Sequence, residues 1–320
     1  MSGSSPNAAE GGGAASSSST AALGALSDAL ADAVDRIAAS VLALPGRRQG
    51  TVASATIWRP GIVVTAAHVL RRGLPSLTLI GPGGVAIEAS AVGIDYATDL
   101  AVFRLPDQAL PALDPVDAGH VRAGHLALLV GRAAQGGPSA SFGVINHSSG
   151  AWRSWLGGQI DRLIRLDGGV HAGLSGGPVA DAAGRVFGVA SAALSRHYGI
   201  VVPTATVERV VDALLAGGAV ARGFLGIAAQ PVQVGSAEAP QEGLLVTELA
   251  PDGPAARAGL LVGDIVLGVA GRAATDLHAL RDALAGQVGK EVALELLRGG
   301  QRMGLAVSVG EWPRAERRRC

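Results

Sequence analysis

Ser175 lies in the turn Gly173-Leu174-Ser175-Gly176-Gly177-Pro178, with glycine on both sides. A serine hydroxyl is a weak nucleophile until a neighbouring base takes its proton and donors receive the charge that develops on the attacked carbonyl. Glycines let the backbone bend until two N–H groups face one point, and those of Gly173 and Ser175 are the natural pair here. A base stands upstream: Thr65-Ala66-Ala67-His68-Val69-Leu70 follows directly on Ile62-Val63-Val64, which sets His68 at a strand end among small residues. Asp95-Tyr96-Ala97-Thr98-Asp99-Leu100-Ala101-Val102 places Asp99 just before another strand. An imidazole can take the serine proton, and a carboxylate on its other nitrogen keeps it in the tautomer that does so. Singly, these are a glycine turn, a structural histidine and a strand cap. In the order His68, Asp99, Ser175, each at a strand boundary, they point to a nucleophilic triad.

The elements around them read as mostly β. From Val41 to about Val202, short apolar runs are broken by Gly and Pro, among them Thr51–Trp58, Ile62–Thr65, Leu77–Ile80, Ala86–Val92, Leu100–Leu105, His125–Val130 and Val186–Ala192. Many short strands at such spacing predict a β-sandwich or barrel. Before them, Leu26, Leu30, Ala33, Val34 and Ile37 fall on one helical face, and Val207–Leu215 reads as a helix after them. A second β-rich unit begins beyond Gly223, with helices expected at Pro254–Ala258 and at Thr275–Ala285, the latter capped by Thr275 or Asp276.

Composition narrows the class. The 320 residues carry no formal net charge, 48% are hydrophobic and 16% charged. That is ample for two cores and argues against a general nucleic-acid or membrane-surface role. Cys320 is the single cysteine, so no intramolecular disulfide forms. No apolar run approaches the ~20 residues of a membrane span, and the start lacks the layout of a secretory signal. The expected compartment of the chain as written is therefore the cytoplasm, with the periplasm as the alternative if the natural start differs.

With these motifs in place, the chain resembles the HtrA (DegP/DegS) family, chymotrypsin-fold serine proteases followed by a PDZ domain. The family's TNAHV corresponds to Thr65–Val69, its DxxxDLA to Asp95–Ala101 and its GNSGGP to Gly173–Pro178. Gly199-Ile200-Val201-Val202-Pro203, Arg222-Gly223-Phe224-Leu225-Gly226-Ile227 and the stretch from Ala250 to Leu260 are similar too. The resemblance implies a chymotrypsin-like double β-barrel and a PDZ domain, with His68 as general base, Asp99 as its orienting acid, Ser175 as nucleophile, and Gly173 and Ser175 as the oxyanion hole. It implies an ATP-independent endopeptidase of unfolded or damaged proteins, without cofactor or metal, assembled as a homotrimer. Three departures stand out: Ala66 and Leu174 replace the family's Asn, and Ala53-Ser54-Ala55-Thr56 is a loose form of its GSGF-like segment. On Leu174 and that segment rests the alternative, a catalytically silent pseudoprotease acting as a PDZ peptide sensor or chaperone.

PDZ domains take an extended C-terminal peptide as an added strand and seat its carboxylate in a nest of backbone N–H groups. Gly223, Phe224, Leu225, Gly226 and Ile227 form the expected loop, with Leu225–Gln230 as edge strand and His278, Leu280 and Leu284 facing the groove. The primary specificity pocket is expected near Gly169 and Ala190–Ala192, which carry no charge and favour a small or medium apolar side chain. The expected layout is a disordered tail over 1–22, a protease domain over 23–216, a linker over 217–221, the PDZ domain over 222–310 and a basic tail over 311–320.

Overall fold

The computed structural model describes residues 12–46, 51–70, 74–106, 110–217, 223–236, 239–284 and 286–311. The chain divides into two compact units, Met1–Ala219 and Val220–Cys320.

The first unit opens with helix α1 (Gly12–Ala38). Residues 12–22 of the expected tail are thus helical, while 1–11 lie outside the described residues. After Gly13 the segment holds neither Gly nor Pro until Gly24, and its alanines have the highest helix propensity of any residue. Ala33 and Ile37 are buried, but Leu26, placed on the same face, is exposed.

Two closed barrels follow. The first comprises β1 (Val41–Pro45), β2 (Thr51–Arg59), β3 (Ile62–Ala66), β4 (Ser76–Ile80), β5 (Ala86–Asp95) and β6 (Leu100–Arg104), closing in the order β1-β2-β3-β6-β5-β4. Leu42, Ile57, Val63, Leu79 and Phe103 fill it. The second is built of β7 (Leu126–Arg132), β8 (Pro138–Ser149), then, beyond a small ribbon of β9 (Trp152–Arg153) and β10 (Gln159–Ile160), β11 (Leu163–Leu166), β12 (Pro178–Ala180), β13 (Val186–Ser191) and β14 (Ile200–Pro203). It closes as β11-β14-β13-β12-β7-β8 around Leu129, Ile145, Ile164, Phe187 and Val201. Counted in its own chain order, each barrel has the same cyclic sequence of strands, 1-2-3-6-5-4. The expected double barrel is therefore present as two copies of one topology.

Helix α2 (Thr204–Gly217) buries Val207, Val210, Val211 and Leu214. It ties back to the first barrel, where Trp58 Nε1 donates to Glu208 at 2.6 Å and Arg59 pairs with Glu208 and Asp212. Most of the expected linker, 218–221, lies outside the described residues.

The second unit holds β15 (Gly223–Phe224), β16 (Ile227–Ser236), β17 (Ala239–Leu249), α3 (Pro254–Arg257), β18 (Ile265–Val269), β19 (Arg272–Ala273), α4 (Leu277–Leu284), β20 (Glu291–Arg298), β21 (Gln301–Ser308) and β22 (Gly310–Glu311). Its main sheet runs β16-β17-β18-β20-β21, so β16 is an edge strand. Asp276 caps α4 by accepting from Ala279 N–H at 2.7 Å. Glu311 pairs with Gly223, which carries the unit one residue into the expected basic tail; 312–320 lie outside the described residues.

Candidate active site

Asp99 occupies the turn between β5 and β6 in the left-handed region, at φ 57°, which aspartate tolerates better than most residues. This conformation turns its carboxylate back onto the histidine. Oδ1 accepts from the His68 backbone N–H at 2.8 Å, Oδ2 lies 2.8 Å from His68 Nδ1, and the Asp99 carbonyl accepts from Ala67 N–H at 3.0 Å. A carboxylate only accepts, so it places the imidazole proton on Nδ1 and leaves Nε2 as a base. Ser191, at the end of β13, donates to the same Oδ2 at 2.6 Å. Asp99 is buried, while the His68 side chain stays 31% exposed.

Ser175 belongs to the second barrel. Leu174 N–H bonds to the His171 carbonyl at 3.1 Å and Gly173 has φ 89°, which makes 171–174 a type II turn requiring glycine at its third position. Among the described residues, the N–H groups of Gly173 and Ser175 donate to no partner. They are the pair expected to receive an oxyanion.

Strand β2 holds the turn from behind. Ser54 N–H donates to the Ser175 carbonyl at 2.9 Å, Ser54 Oγ to the Gly173 carbonyl at 2.7 Å, and Thr56 Oγ1 to the Gly176 carbonyl at 2.9 Å. The approach is so close that a Cβ on Gly176 would stand 2.2 Å from the Ser54 carbonyl and 2.8 Å from Ala66 N. The turn therefore abuts the end of β3, two residues before His68. No Ser175–His68 hydrogen bond occurs among the described residues; such bonds are commonly long in free enzymes and tighten with substrate.

Leu174 is buried in the core of the second barrel. The substitution of the family's Asn thus anchors the turn through packing. His171 lends the turn its carbonyl, and its ring is exposed. At the expected specificity pocket, Gly169 has open space where a Cβ would stand, whereas a Cβ on Gly199 would lie 3.0 Å from Val170 and 3.1 Å from Leu166.

Ser191 falls within Ala190–Ala192, expected from sequence to line the specificity pocket rather than to hold Asp99, while Ser54 and Thr56 lie in the loose GSGF-like segment with no expected role of their own. Ser54, Thr56 and Ser191 are polar residues with 1% exposure or less inside apolar strands. That pattern of small hydroxyls in a hydrophobic run was the available signal.

In the second unit, Gly226 (φ 78°) ends the loop before β16, so the edge strand starts at Ile227 rather than Leu225. Leu225 turns its side chain into the core and offers only its backbone. Its N–H and that of Gly226 have no partner among the described residues. A groove beside them is lined by Phe224, Ile227, Ala229, Leu277, Leu280 and Leu284. The side chain of His278 lies outside those described.

Residues 53–189 match the family of trypsin-like peptidase domains, and 245–298 the PDZ domain. A probable periplasmic serine endoprotease, DegP-like, of Halomonas elongata is 32% identical over 273 residues, which cover 80% of this chain and 56% of the relative. Its counterpart in Brucella suis is also 32% identical, over 79% of this chain and 51% of its own. The chain thus spans about half the length of these curated relatives. Among solved structures, the HtrA-type protease AlgW with a decapeptide aligns at a TM-score of 0.73 and 26% identity, covering 89% of this chain and 99% of that one. A serine endoprotease from Yersinia pestis aligns at 0.70 and 27% identity, covering 89% and 98%.

Proposed function

Because this chain belongs to the HtrA family of trypsin-like serine peptidases with a PDZ domain, we propose that it is an endopeptidase acting through His68, Asp99 and Ser175. The observation that carries this reading is the grip of Asp99 on both the Nδ1 and the backbone N–H of His68. His68 Nε2 takes the Ser175 proton as Oγ adds to the scissile carbonyl, and the oxyanion sits between the N–H groups of Gly173 and Ser175. The protonated imidazole then gives its proton to the leaving amine, forming an acyl-enzyme. A water deprotonated by the same nitrogen releases the acid and restores the serine.

Substrates in this reading are unfolded or damaged proteins with an apolar residue before the cut, degraded without ATP. The PDZ groove holds their C-termini, the protein acts as a homotrimer, and the domain layout of 23–216 and 222–310 assigns one task to each unit. The relatives are named periplasmic, which favours that compartment over the cytoplasm expected from the N-terminal sequence. Cleavage of reduced, unfolded casein in ATP-free buffer tests the assignment: wild type degrades it and Ser175→Ala does not. Persistent intact casein with wild type, alone or with a C-terminal activating peptide, would leave only a peptide-binding role.

A further inference from the structure

The hydroxyl of Ser54 is fully buried and has one available orientation. Its oxygen accepts from Arg132 N–H at 3.1 Å, which directs its own proton to the Gly173 carbonyl at 2.7 Å. A Cβ on Gly131 would meet Ser54 Oγ and Leu174 Cδ2 at 2.7 Å each, so the Gly131 backbone packs closely against the hydroxyl. Removing the hydroxyl takes this donor from the Gly173 carbonyl.

Its acceptor matters for chemistry. Gly173 is the turn residue with positive φ whose N–H lies in the expected oxyanion pair, and a glycine at such a position rotates with little hindrance. The Gly173 carbonyl and the Leu174 N–H belong to one peptide unit, held by the Ser54 hydroxyl at one end and by the His171 carbonyl at the other, so Ser54 helps to fix the peptide between the two N–H groups of the oxyanion pair. The Arg132 side that aligns Ser54 is itself rigid. The Arg132 guanidinium is buried and donates to the carbonyls of Ala38, Val41 and Gly136.

We propose that Ser54 is a positioning residue that, through the Gly173 carbonyl, keeps the Gly173 and Ser175 N–H groups aimed at the reacting carbonyl oxygen. The proposal rests on the proteolytic reading of Ser175. Ser54 touches no substrate, so its removal weakens binding of the transition state and leaves binding of the ground state alone.

Steady-state cleavage of a peptide substrate and inhibition by a peptide boronate, which adds reversibly to the serine oxygen, test this on the full chain. Ser54→Ala lowers kcat about tenfold or more, leaves KM within about twofold, and weakens boronate inhibition by the same factor as kcat. Ser54→Cys, which keeps a weak donor of similar shape, falls between the two. If Ser54→Ala fails to fold, Ser54→Cys alone carries the comparison. A lowered melting temperature with unchanged kcat and boronate affinity would make Ser54 a packing residue and overturn the proposal. A wild type that neither cleaves nor binds boronate would instead overturn the assignment of Ser175, and the positioning role with it.

Discussion

Ser191 Oγ and His68 Nδ1 meet on one oxygen, Asp99 Oδ2, at 2.6 and 2.8 Å. The serine comes from the second barrel and the other two from the first, so the carboxylate is oriented from both sides of the interface between barrels. Ser191→Ala removes one of these holds without touching Ser175, the proposed nucleophile. It is expected to lower kcat about tenfold, by analogy with the loss seen when the partners that orient metal-ligating side chains are removed. KM stays within about twofold in the same assay.

Two glycines near Ser175 separate packing from chemistry. Gly176→Ala forces a Cβ to 2.2 Å from the Ser54 carbonyl at a backbone φ of 83°, and the clash is with backbone that cannot yield. The variant is expected to lose several kcal/mol of stability and to accumulate as insoluble protein. Gly169→Ala meets nothing within 4 Å and is expected to fold with an unchanged melting curve. Soluble yield and circular dichroism melting distinguish the two.

The second unit carries a pH-dependent element. Asp264 is buried and accepts from Arg298 Nε at 2.8 Å, from Arg298 Nη2 at 2.6 Å and from Leu261 N–H at 2.8 Å. The Arg298 hydrogen bonds hold its carboxyl below the ordinary range, against the opposing effect of burial. The folded form thus binds this proton less readily than the unfolded one. Its stabilisation is complete above the unfolded carboxylate value of about 3.9 and is lost as pH falls through the folded one. Asp264→Asn is expected to melt well below wild type at pH 7, with the two curves converging as the pH falls below about 4. Parallel curves across that range would contradict the role given to the pair.

The open N–H groups of Leu225 and Gly226 beside edge strand β16 predict dependence on a free carboxylate. A labelled peptide with an apolar C-terminal residue is expected to bind at least about tenfold more tightly than the same peptide amidated at its C-terminus, one tenfold step being ~1.4 kcal/mol. Fluorescence anisotropy reads the difference, and equal affinities would remove the nest from the account.

His68, Asp99 and Ser175 stand out in the sequence because each lies in a short motif of small residues at a strand end, and the structure brings the first two into hydrogen-bond contact. Their support does not stand out. The partners of Ser54 and Thr56 lie about 120 residues away, at Gly173 and Gly176, and no local pattern encodes such a pairing. Ser191 ends an apolar strand as an ordinary serine would, and only the fold brings it to Asp99. The same holds for the barrels. β1 (Val41–Pro45) is apolar and four-fifths buried, without the alternation that marks a strand. β12 and β14 are three and four residues long, too short for any period to show. The start of α1 was missed because Ser, Gly and Ala read as a tail by composition, whereas helix propensity depends on where the glycines stand.

The most direct test of the account is covalent. A fluorophosphonate reacts only with a serine whose proton has a base to go to and whose adduct has donors to receive it. Peptide mapping by mass spectrometry after labelling is expected to find the adduct on Ser175, and none after His68→Ala or Ser175→Ala. Labelling undiminished by His68→Ala, or an adduct on any other serine, would contradict the assignment of these residues.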